Sequence, residues 1–255
     1  MITAAKEPNW PKKQGAITKD GGVEWQTHQL RPDMPEMPPN MKKLPVDKRG
    51  YPVPWFVDWV NGEPEFRAMD RRKLLTAIQE LRCWVCGEKL WPEKIFVVGP
   101  MCAVNRISSE PPSHRECAQF SARACPFLSK PQMIRREDAI ADALRKGAAG
   151  IAVERNPGVT LLWFTKTYTV KKVDAIPGVA NAGILFSMGR PFRAEWYCRG
   201  RAATRAEVMD SIDSGLPLLY DANRKQAGDD EDHLRAELNG RVQEQLAQTL
   251  RLLPR

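Results

Sequence analysis

The chain has little histidine and no long apolar run. Three histidines occur among its 255 residues: His28, His114 and His233. This small number of histidines argues against the histidine-dependent triads of hydrolases, because such a triad needs a histidine base beside its nucleophile. No apolar stretch approaches the roughly 18 residues that a membrane-spanning helix needs. Residues 1–13 lack the apolar core of a secretory signal. The sequence therefore predicts a cytoplasmic protein that does not enter a membrane.

Motifs for nucleotide cofactors are also missing. The segment Lys146-Gly-Ala-Ala-Gly150 shares glycines with a phosphate-binding loop. It lacks the Gly-Lys-Ser/Thr ending and follows a predicted helix rather than a strand. A His-x-Glu ahead of the Cys-x-x-Cys pair, which zinc deaminases use, is absent as well. We therefore expect neither a bound nucleotide cofactor nor deaminase chemistry.

Two short segments carry the strongest pattern in the chain. They are Cys83-Trp-Val-Cys86-Gly87 and Ser113-His114-Arg115-Glu116-Cys117. In a reducing compartment cysteines are more often metal ligands or core residues than disulfide partners. Two pairs of ligands, each separated by two residues, suit a tetrahedral zinc ion. The sequence predicts one structural Zn²⁺ held by Cys83, Cys86, His114 and Cys117.

The local sequence explains how these ligands would converge. Gly87 allows a tight turn after the first pair. Ser113 as N-cap with Glu116 at N3 predicts a capping box that begins a helix at the second pair. Cys102, in the connecting loop, could instead replace His114 and give a four-cysteine site. With four protein ligands the ion has no open position for catalysis.

The order of knuckle, strand-rich connection and ligand-bearing helix resembles a treble-clef zinc finger over residues 82–125. This resemblance implies a structural metal and no particular activity, since the fold serves many functions. The blocks 49–67 and 101–128 also resemble proteins of unknown function in bacterial and phage genomes. HNH nucleases share the knuckle but need a histidine on the strand after it. No histidine lies between His28 and His114, so nuclease activity is the least favoured interpretation.

The sequence predicts an α+β fold in which a treble-clef zinc-binding domain precedes antiparallel β-hairpins and helices. The predicted divisions are a Pro-rich disordered or extended arm (1–50), the zinc-binding domain (51–147), a hairpin domain (148–227), and an acidic linker with a C-terminal amphipathic helix (228–255). One hairpin is expected around Asn61-Gly62, and another joins 184–187 to 192–198. A helix capped by Thr204 and Glu207 is expected to end at Gly215, with Pro217 beyond it.

The net charge of +8 permits attraction to nucleic acid. A group of arginines lies near the aromatic residues Phe192, Trp196 and Tyr197, and arginines beside an exposed aromatic ring can bind phosphates and stack a base. The arginines predicted to bind nucleic acid are Arg193, Arg199, Arg201 and Arg205. Strand alternation places Phe192 with Trp196 on the opposite face from Arg193, which favours a core role for both rings. The sequence thus predicts a non-catalytic, zinc-stabilised protein that binds DNA or RNA. The alternative is a protein-interaction adaptor or inhibitor. The long arm and the final leucine stripe suit binding to a protein at least as well as binding to nucleic acid.

Overall fold

The computed structural model describes residues 28–130, 149–151, 155–228 and 232–255. Residues 1–27 of the predicted arm and 131–147 of the predicted zinc-binding domain therefore lie outside the described residues. In chain order the elements are β1 (Val57–Val60), β2 (Glu63–Met69), α1 (Arg71–Gln79), β3 (Lys94–Val98), α2 (Pro100–Asn105), β4 (Ile107–Ser108), α3 (Arg115–Ala124), α4 (Pro126–Ser129), β5 (Val159–Thr165), β6 (Tyr168–Val173), β7 (Gly183–Met188), β8 (Pro191–Cys198), β9 (Arg201–Ala202), α5 (Arg205–Ala227) and α6 (Asp232–Leu250). All the paired strands are antiparallel, which confirms the α+β class.

A four-stranded sheet with the order β3-β5-β8-β9 organises the fold. Its central strand β5 is buried along its whole length, as its run of apolar residues requires. Leu162 and Phe164 pack against the small residues Ala118 and Ala122 of α3 on one face. Trp163 and the other alternate residues of β5 join the main core, to which α2 and α5 contribute on the other face. The side of helix α3 that carries Ala118 and Ala122 therefore packs against the sheet.

The first predicted hairpin is confirmed and the second is wrong. Strands β1 and β2 pair around Asn61-Gly62, where φ is 50° and 81°. Both values suit a tight hairpin turn of the mirror-image type. Strands β7 and β8, in contrast, belong to different sheets: β7 pairs with β4 and β6, and β8 pairs with β5. The crossing between them is held by Trp163, whose Nε1 donates to the carbonyl of Gly189 at 2.9 Å.

The capped helix α5 begins as predicted but continues past its predicted end. Thr204 and Glu207 form the capping box. Gly215 and Pro217 lie inside the helix, which ends at Ala227. Gly215 serves close packing rather than termination, because a Cβ atom there would lie 2.9 Å from the side chain of Met101 in α2. The glycine that ends α5 is Gly228, with φ of 83°.

The described part of the predicted arm is packed rather than extended. Residues 39–41 form a 3-10 turn. Met41 and Leu44 are 1% and 3% exposed and join a core that includes Trp55, Trp84 and the cysteines near them. The apolar residues of this Pro-rich stretch, which show no helical or strand period, are buried through turns. Residues 28–50 therefore form one wall of the metal-side core.

The predicted zinc-binding and hairpin domains share one sheet. Strand β3, from the first, pairs with β5, from the second, over the register Lys94↔Thr165 to Val98↔Leu161. Helix α6 packs on α5 and α2, and its stripe contributes Val242, Leu246 and Leu250 to the main core. The C-terminal leucine stripe thus packs on its own chain, as the pattern favoured. No helix built from the described residues is both long and apolar enough to cross a membrane.

Candidate metal centre

The first ligand pair lies in a tight turn at the end of α1. The backbone N–H of Cys83 donates to the carbonyl of Glu88 at 2.7 Å, and that of Gly87 donates to Cys83 at 2.9 Å. Gly87 has φ of 74°, and a Cβ atom there would lie 2.7 Å from the ring of Trp55. Both its backbone angle and its close approach to the ring require glycine. The predicted role of Gly87 agrees with this geometry.

The second ligand pair begins α3, but the predicted capping box does not form. Ser113 exchanges two backbone hydrogen bonds with Ile95 of β3, at 2.8 and 3.2 Å, and so extends the sheet. The N-cap residue is His114, and its side chain makes no cap hydrogen bond because the imidazole turns to the cysteines. Cys117 follows in the first turn of α3. The cluster, rather than a hydroxyl cap, therefore occupies the beginning of this helix.

The four predicted ligands come together in the interior. The sulfurs of Cys83, Cys86 and Cys117 and a ring nitrogen of His114 all lie within 4.8 Å of one another. The cysteines are 0% exposed and the histidine is 1% exposed. The backbone N–H of His114 donates to the sulfur of Cys83 at 3.3 Å. These four side chains could hold a metal ion.

Two partners around the cluster set its chemistry. The Nε2 atom of His114 lies 3.0 Å from the carbonyl of Lys89, which fixes the proton on Nε2 and leaves Nδ1 facing the sulfurs. Nδ1 is 3.4 Å from the sulfur of Cys86. Asn40, from the 3-10 turn, directs its amide Nδ2 to the sulfur of Cys117 at 3.2 Å and to that of Cys86 at 3.6 Å. Sequence reasoning missed Asn40, since nothing in the local sequence links it to ligands so far along the chain.

Proximity couples the titration of the cluster. Burial raises the pKa of Cys83, but hydrogen bonds from Cys117, Cys86 and His114 outweigh it and hold that pKa well below the ordinary value. Burial lowers the pKa of His114, yet its bonds to the sulfurs of Cys83 and Cys86 raise it to about 10. Hydrogen bonds to Cys83 and Cys86 raise the pKa of Cys117. One thiolate is thus paired with a protonated imidazole when no cation fills the cluster.

The donor set fits a soft or borderline metal ion in tetrahedral coordination. Zinc–sulfur bonds of about 2.3 Å place tetrahedral sulfurs about 3.8 Å apart, well inside the observed 4.8 Å limit. The remaining cysteines lie elsewhere: Cys102 in α2, Cys125 before α4 and Cys198 at the end of β8. The cluster contains His114 and excludes Cys102, so the four-cysteine alternative is not the arrangement formed.

The four arginines predicted to bind nucleic acid lie on β8, in the β8–β9 turn, on β9 and at the start of α5, and all four are exposed. Arg193 forms an ion pair with Glu195 at 2.5 Å, and Arg201 pairs with Glu207 at 2.6 Å. Arg199, in the β8–β9 turn, and Arg205 have no carboxylate partner among the described residues. Two of the four are therefore already held by glutamates, and the other two remain free to bind an anion.

This arginine group adjoins the metal helix. Arg115 of α3 lies 4.0 Å from Glu195 of β8, the carboxylate that also binds Arg193. The guanidinium of Arg123, near the end of α3, lies 5.8 Å from the ring centre of Tyr197. A Cβ atom on Gly200, in the β8–β9 turn, would be 3.2 Å from the carbonyl of Arg123. We call this the arginine surface, made of Arg115, Arg123, Arg193, Arg199, Arg201 and Arg205.

A β-bulge corrects the predicted position of Phe192. The β5–β8 register runs from Phe164↔Arg193 to Thr165↔Pro191, so Phe192 is the extra residue. A bulge interrupts strand alternation, and both Phe192 and Arg193 contact Phe164, at 6.2 Å between ring centres and 5.3 Å from guanidinium to ring. Phe192 is 50% exposed, whereas Trp196 is 5% exposed. The predicted core role therefore holds for Trp196 and is wrong for Phe192, which lies beside the arginine surface.

Comparisons of the chain with protein-family models, with curated proteins and with solved structures found no match. The residues of the site therefore carry the functional argument by themselves.

Proposed function

We propose that the cluster of Cys83, Cys86, His114 and Cys117 binds one Zn²⁺ as a structural ion in a treble-clef-like finger. Three thiolates and one imidazole are a donor set that zinc prefers, and four protein donors leave no position for a reacting water. The order of turn, strand β3 and helix α3 supports the finger. Zinc supplies about 10–16 kcal/mol to such folds, comparable with the stability of a whole domain. Its role here is to fix the beginning of α3 against the turn and against residues 28–50.

We further propose that the protein binds nucleic acid through the arginine surface and has no catalytic activity. The observation that carries this proposal is the half-exposed ring of Phe192 beside Arg193, next to arginines of the metal helix. Arginines bind backbone phosphates, and an exposed ring stacks on a base of any sequence. In this surface six arginines stand against Glu195 and Glu207. A single strand suits it best, because stacking on Phe192 needs an unpaired base.

The salt dependence of binding tests this proposal. The logarithm of affinity for single-stranded DNA or RNA should fall linearly with the logarithm of salt concentration, since each phosphate contact releases counterions. We expect the double variant Arg199→Ala/Arg205→Ala to lower the magnitude of this slope by about 2, at about 1 for each lost contact. These two arginines are chosen because neither holds a carboxylate in place.

The matched control is Arg71→Ala/Lys171→Ala, which removes the same charge from exposed positions on α1 and β6 that, among the described residues, hold no carboxylate. It should leave the slope close to that of the unchanged protein. Phe192→Ala should weaken binding by about 1–3 kcal/mol for a lost stacked base without changing the slope. Equal slopes for both double variants would refute the assignment. A protein that retained no nucleic acid at low salt would instead favour the protein-interaction alternative.

A further inference from the structure

A second candidate site lies on the face of the sheet that carries Trp163, opposite the face on which α3 packs. An open cavity of about 620 Å³ is formed where β8 begins, beside the last two turns of α6. Its charged lining consists of Arg106, Arg190, Arg251 and Glu244. The side chains of Trp163 and Leu252 form part of the apolar wall of the cavity. The cavity is separate from the metal centre, and none of its residues belongs to the arginine surface.

The charge of this cavity is unbalanced. Three guanidinium groups line it together with one carboxylate, Glu244. Within the described ranges, neither Arg190 nor Arg251 has a carboxylate partner. Like charges gathered in a concave site raise the local potential and attract ligands of opposite charge. The cavity is therefore suited to a ligand with about two negative charges, which is the charge of a phosphate monoester near neutral pH.

Arg106 is held in a fixed position at the edge of this cavity. Arg106 ends α2 in the left-handed conformation, with φ of 54° and ψ of 32°. Glycine or asparagine normally occupies this position, because a larger side chain is strained there. The guanidinium of Arg106 is also held by a hydrogen bond to the side chain of Gln248. This backbone conformation lets the carbonyl of Arg106 accept a hydrogen bond from the N–H of Met188 at 2.8 Å, and the side chain is fixed at the cavity by Gln248.

We propose that this cavity binds a phosphate monoester carried on an organic group. Arg190 and Arg251 form charge-assisted hydrogen bonds with the phosphate oxygens, which a planar guanidinium matches well. The volume exceeds what one phosphate needs and lies in the range of small-molecule sites. Pro191, Ala247 and Leu252 receive the apolar part of the ligand, and Glu244 accepts a hydrogen bond from one of its hydroxyl groups. Such a phosphate occurs in a free nucleoside monophosphate and at the 5′ end of a nucleic-acid strand.

Calorimetric titration of the full chain with AMP, and in parallel with adenosine, tests the proposal. AMP should bind and adenosine should not, because only AMP carries the phosphate. Arg251→Gln should weaken AMP binding by about tenfold or more through loss of a charge-assisted hydrogen bond. Arg190→Gln should have a similar effect. Arg235→Gln removes a half-exposed arginine of α6 that lies outside the cavity lining, and this variant should bind AMP as the unchanged protein does.

A second pair of titrations identifies the source of the phosphate. If a 5′-phosphorylated oligonucleotide binds more tightly than AMP, and more tightly than the same strand with a 5′-hydroxyl, the site receives a strand end. Equal binding of AMP and the phosphorylated strand indicates a free small molecule. Arg251→Gln must abolish either preference. Absence of AMP binding together with no preference for the 5′-phosphate would overturn the proposal, as would equal binding by Arg251→Gln and Arg235→Gln. Neither result bears on the salt slope assigned to Arg199 and Arg205.

Discussion

Among the described residues, the amide of Asn40 is the one side-chain group outside the ligand set that makes hydrogen bonds to the sulfurs of the cluster, and its removal gives the sharpest test of the metal centre. Nδ2 lies 3.2 Å from the sulfur of Cys117 and 3.6 Å from that of Cys86. The same Nδ2 lies 3.1 Å from Nδ1 of His114, and a metal ion bound to Nδ1 would take the place of that contact. Both amide hydrogens of Asn40 would then be donated to the thiolates of Cys86 and Cys117. Asn40→Ala removes these bonds and leaves all four ligands in place.

The expected magnitude follows from these contacts. A hydrogen bond to a charged group contributes about 1.5–3 kcal/mol, and 1.4 kcal/mol is tenfold in affinity. Loss of the bond to Cys117 alone therefore weakens zinc binding about 10- to 150-fold. Water that enters in place of the amide restores part of this. Outer partners of metal ligands typically contribute 10- to 100-fold, so we expect about 10- to 30-fold for Asn40→Ala.

Competition with a chromogenic chelator measures this change directly. Asn239→Ala, which removes an amide bonded to Asn223 far from the cluster, is the matched control. Asn40→Asp should weaken binding further than Asn40→Ala, since it places a carboxylate beside thiolates. Unchanged zinc affinity in Asn40→Ala would show that the amide does not contact the bound thiolates. The same affinity for the Ala and Asp variants would rule out an electrostatic role.

Three further predictions concern protonation, ligand identity and helix capping. Zinc binding near neutral pH should release at least two protons, since the pKa values of His114 and Cys117 are raised in the empty cluster. The affinity for zinc should therefore fall as pH falls. Calorimetry in buffers of different ionisation heat measures the released protons, and finding none would contradict this prediction. Cys117→Ser should speed hydrogen exchange across 81–128 far more than Cys198→Ser, and equal effects would count against the ligand assignment. Thr204→Ala should cost about 1 kcal/mol through loss of the α5 cap. Arg201 lowers the pKa of Glu207 at that cap. The ionised Glu207 therefore stabilises the fold above about pH 4.5, and this stabilisation is lost as pH falls. Thermal unfolding at pH 7 and pH 3 tests both the cost of Thr204→Ala and this pH dependence.

The four side chains of the cluster could be predicted from sequence because their spacing is local. Two residues separate the members of each pair, and a turn followed by a helix start brings each pair to one side. The contribution of Asn40 could not be predicted in this way. Its contact with Cys117 depends on how residues 28–50 fold over the turn, and that stretch has no helical or strand period. The burial of this stretch follows instead from the apolar side chains of Met41 and Leu44.

The positions of the aromatic residues show where strand alternation ceases to predict a face. Trp196 follows the alternation of β8 and is buried as expected. Phe192 precedes it by four residues and should share its face. The bulge opposite Phe164 and Thr165 breaks the period. Gly215 gives a similar lesson: the same residue that ends many helices is used inside α5 to admit Met101. Both outcomes depend on the partner element, which the local sequence does not name.

The metal centre and the arginine surface share helix α3, which predicts that they are energetically coupled. Cys117 lies on the side of α3 that faces the cluster, and Arg115 and Arg123 extend from the same helix toward β8. We expect loss of the proposed ion to release the first turn of α3 and, with it, the position of Arg115. We expect zinc removal to weaken single-strand binding and to lower the salt slope by about 1 for that arginine.

Fluorescence titration with and without a chelator measures this coupling, and reciprocity demands that bound single-stranded nucleic acid also tighten zinc binding by the same factor. In Arg115→Ala the chelator should change the slope much less, because the contact that zinc secures is already gone. Equal nucleic-acid affinity of the zinc-bound and zinc-free proteins would separate the two sites. The ion would then stabilise the fold without preparing the arginine surface for binding.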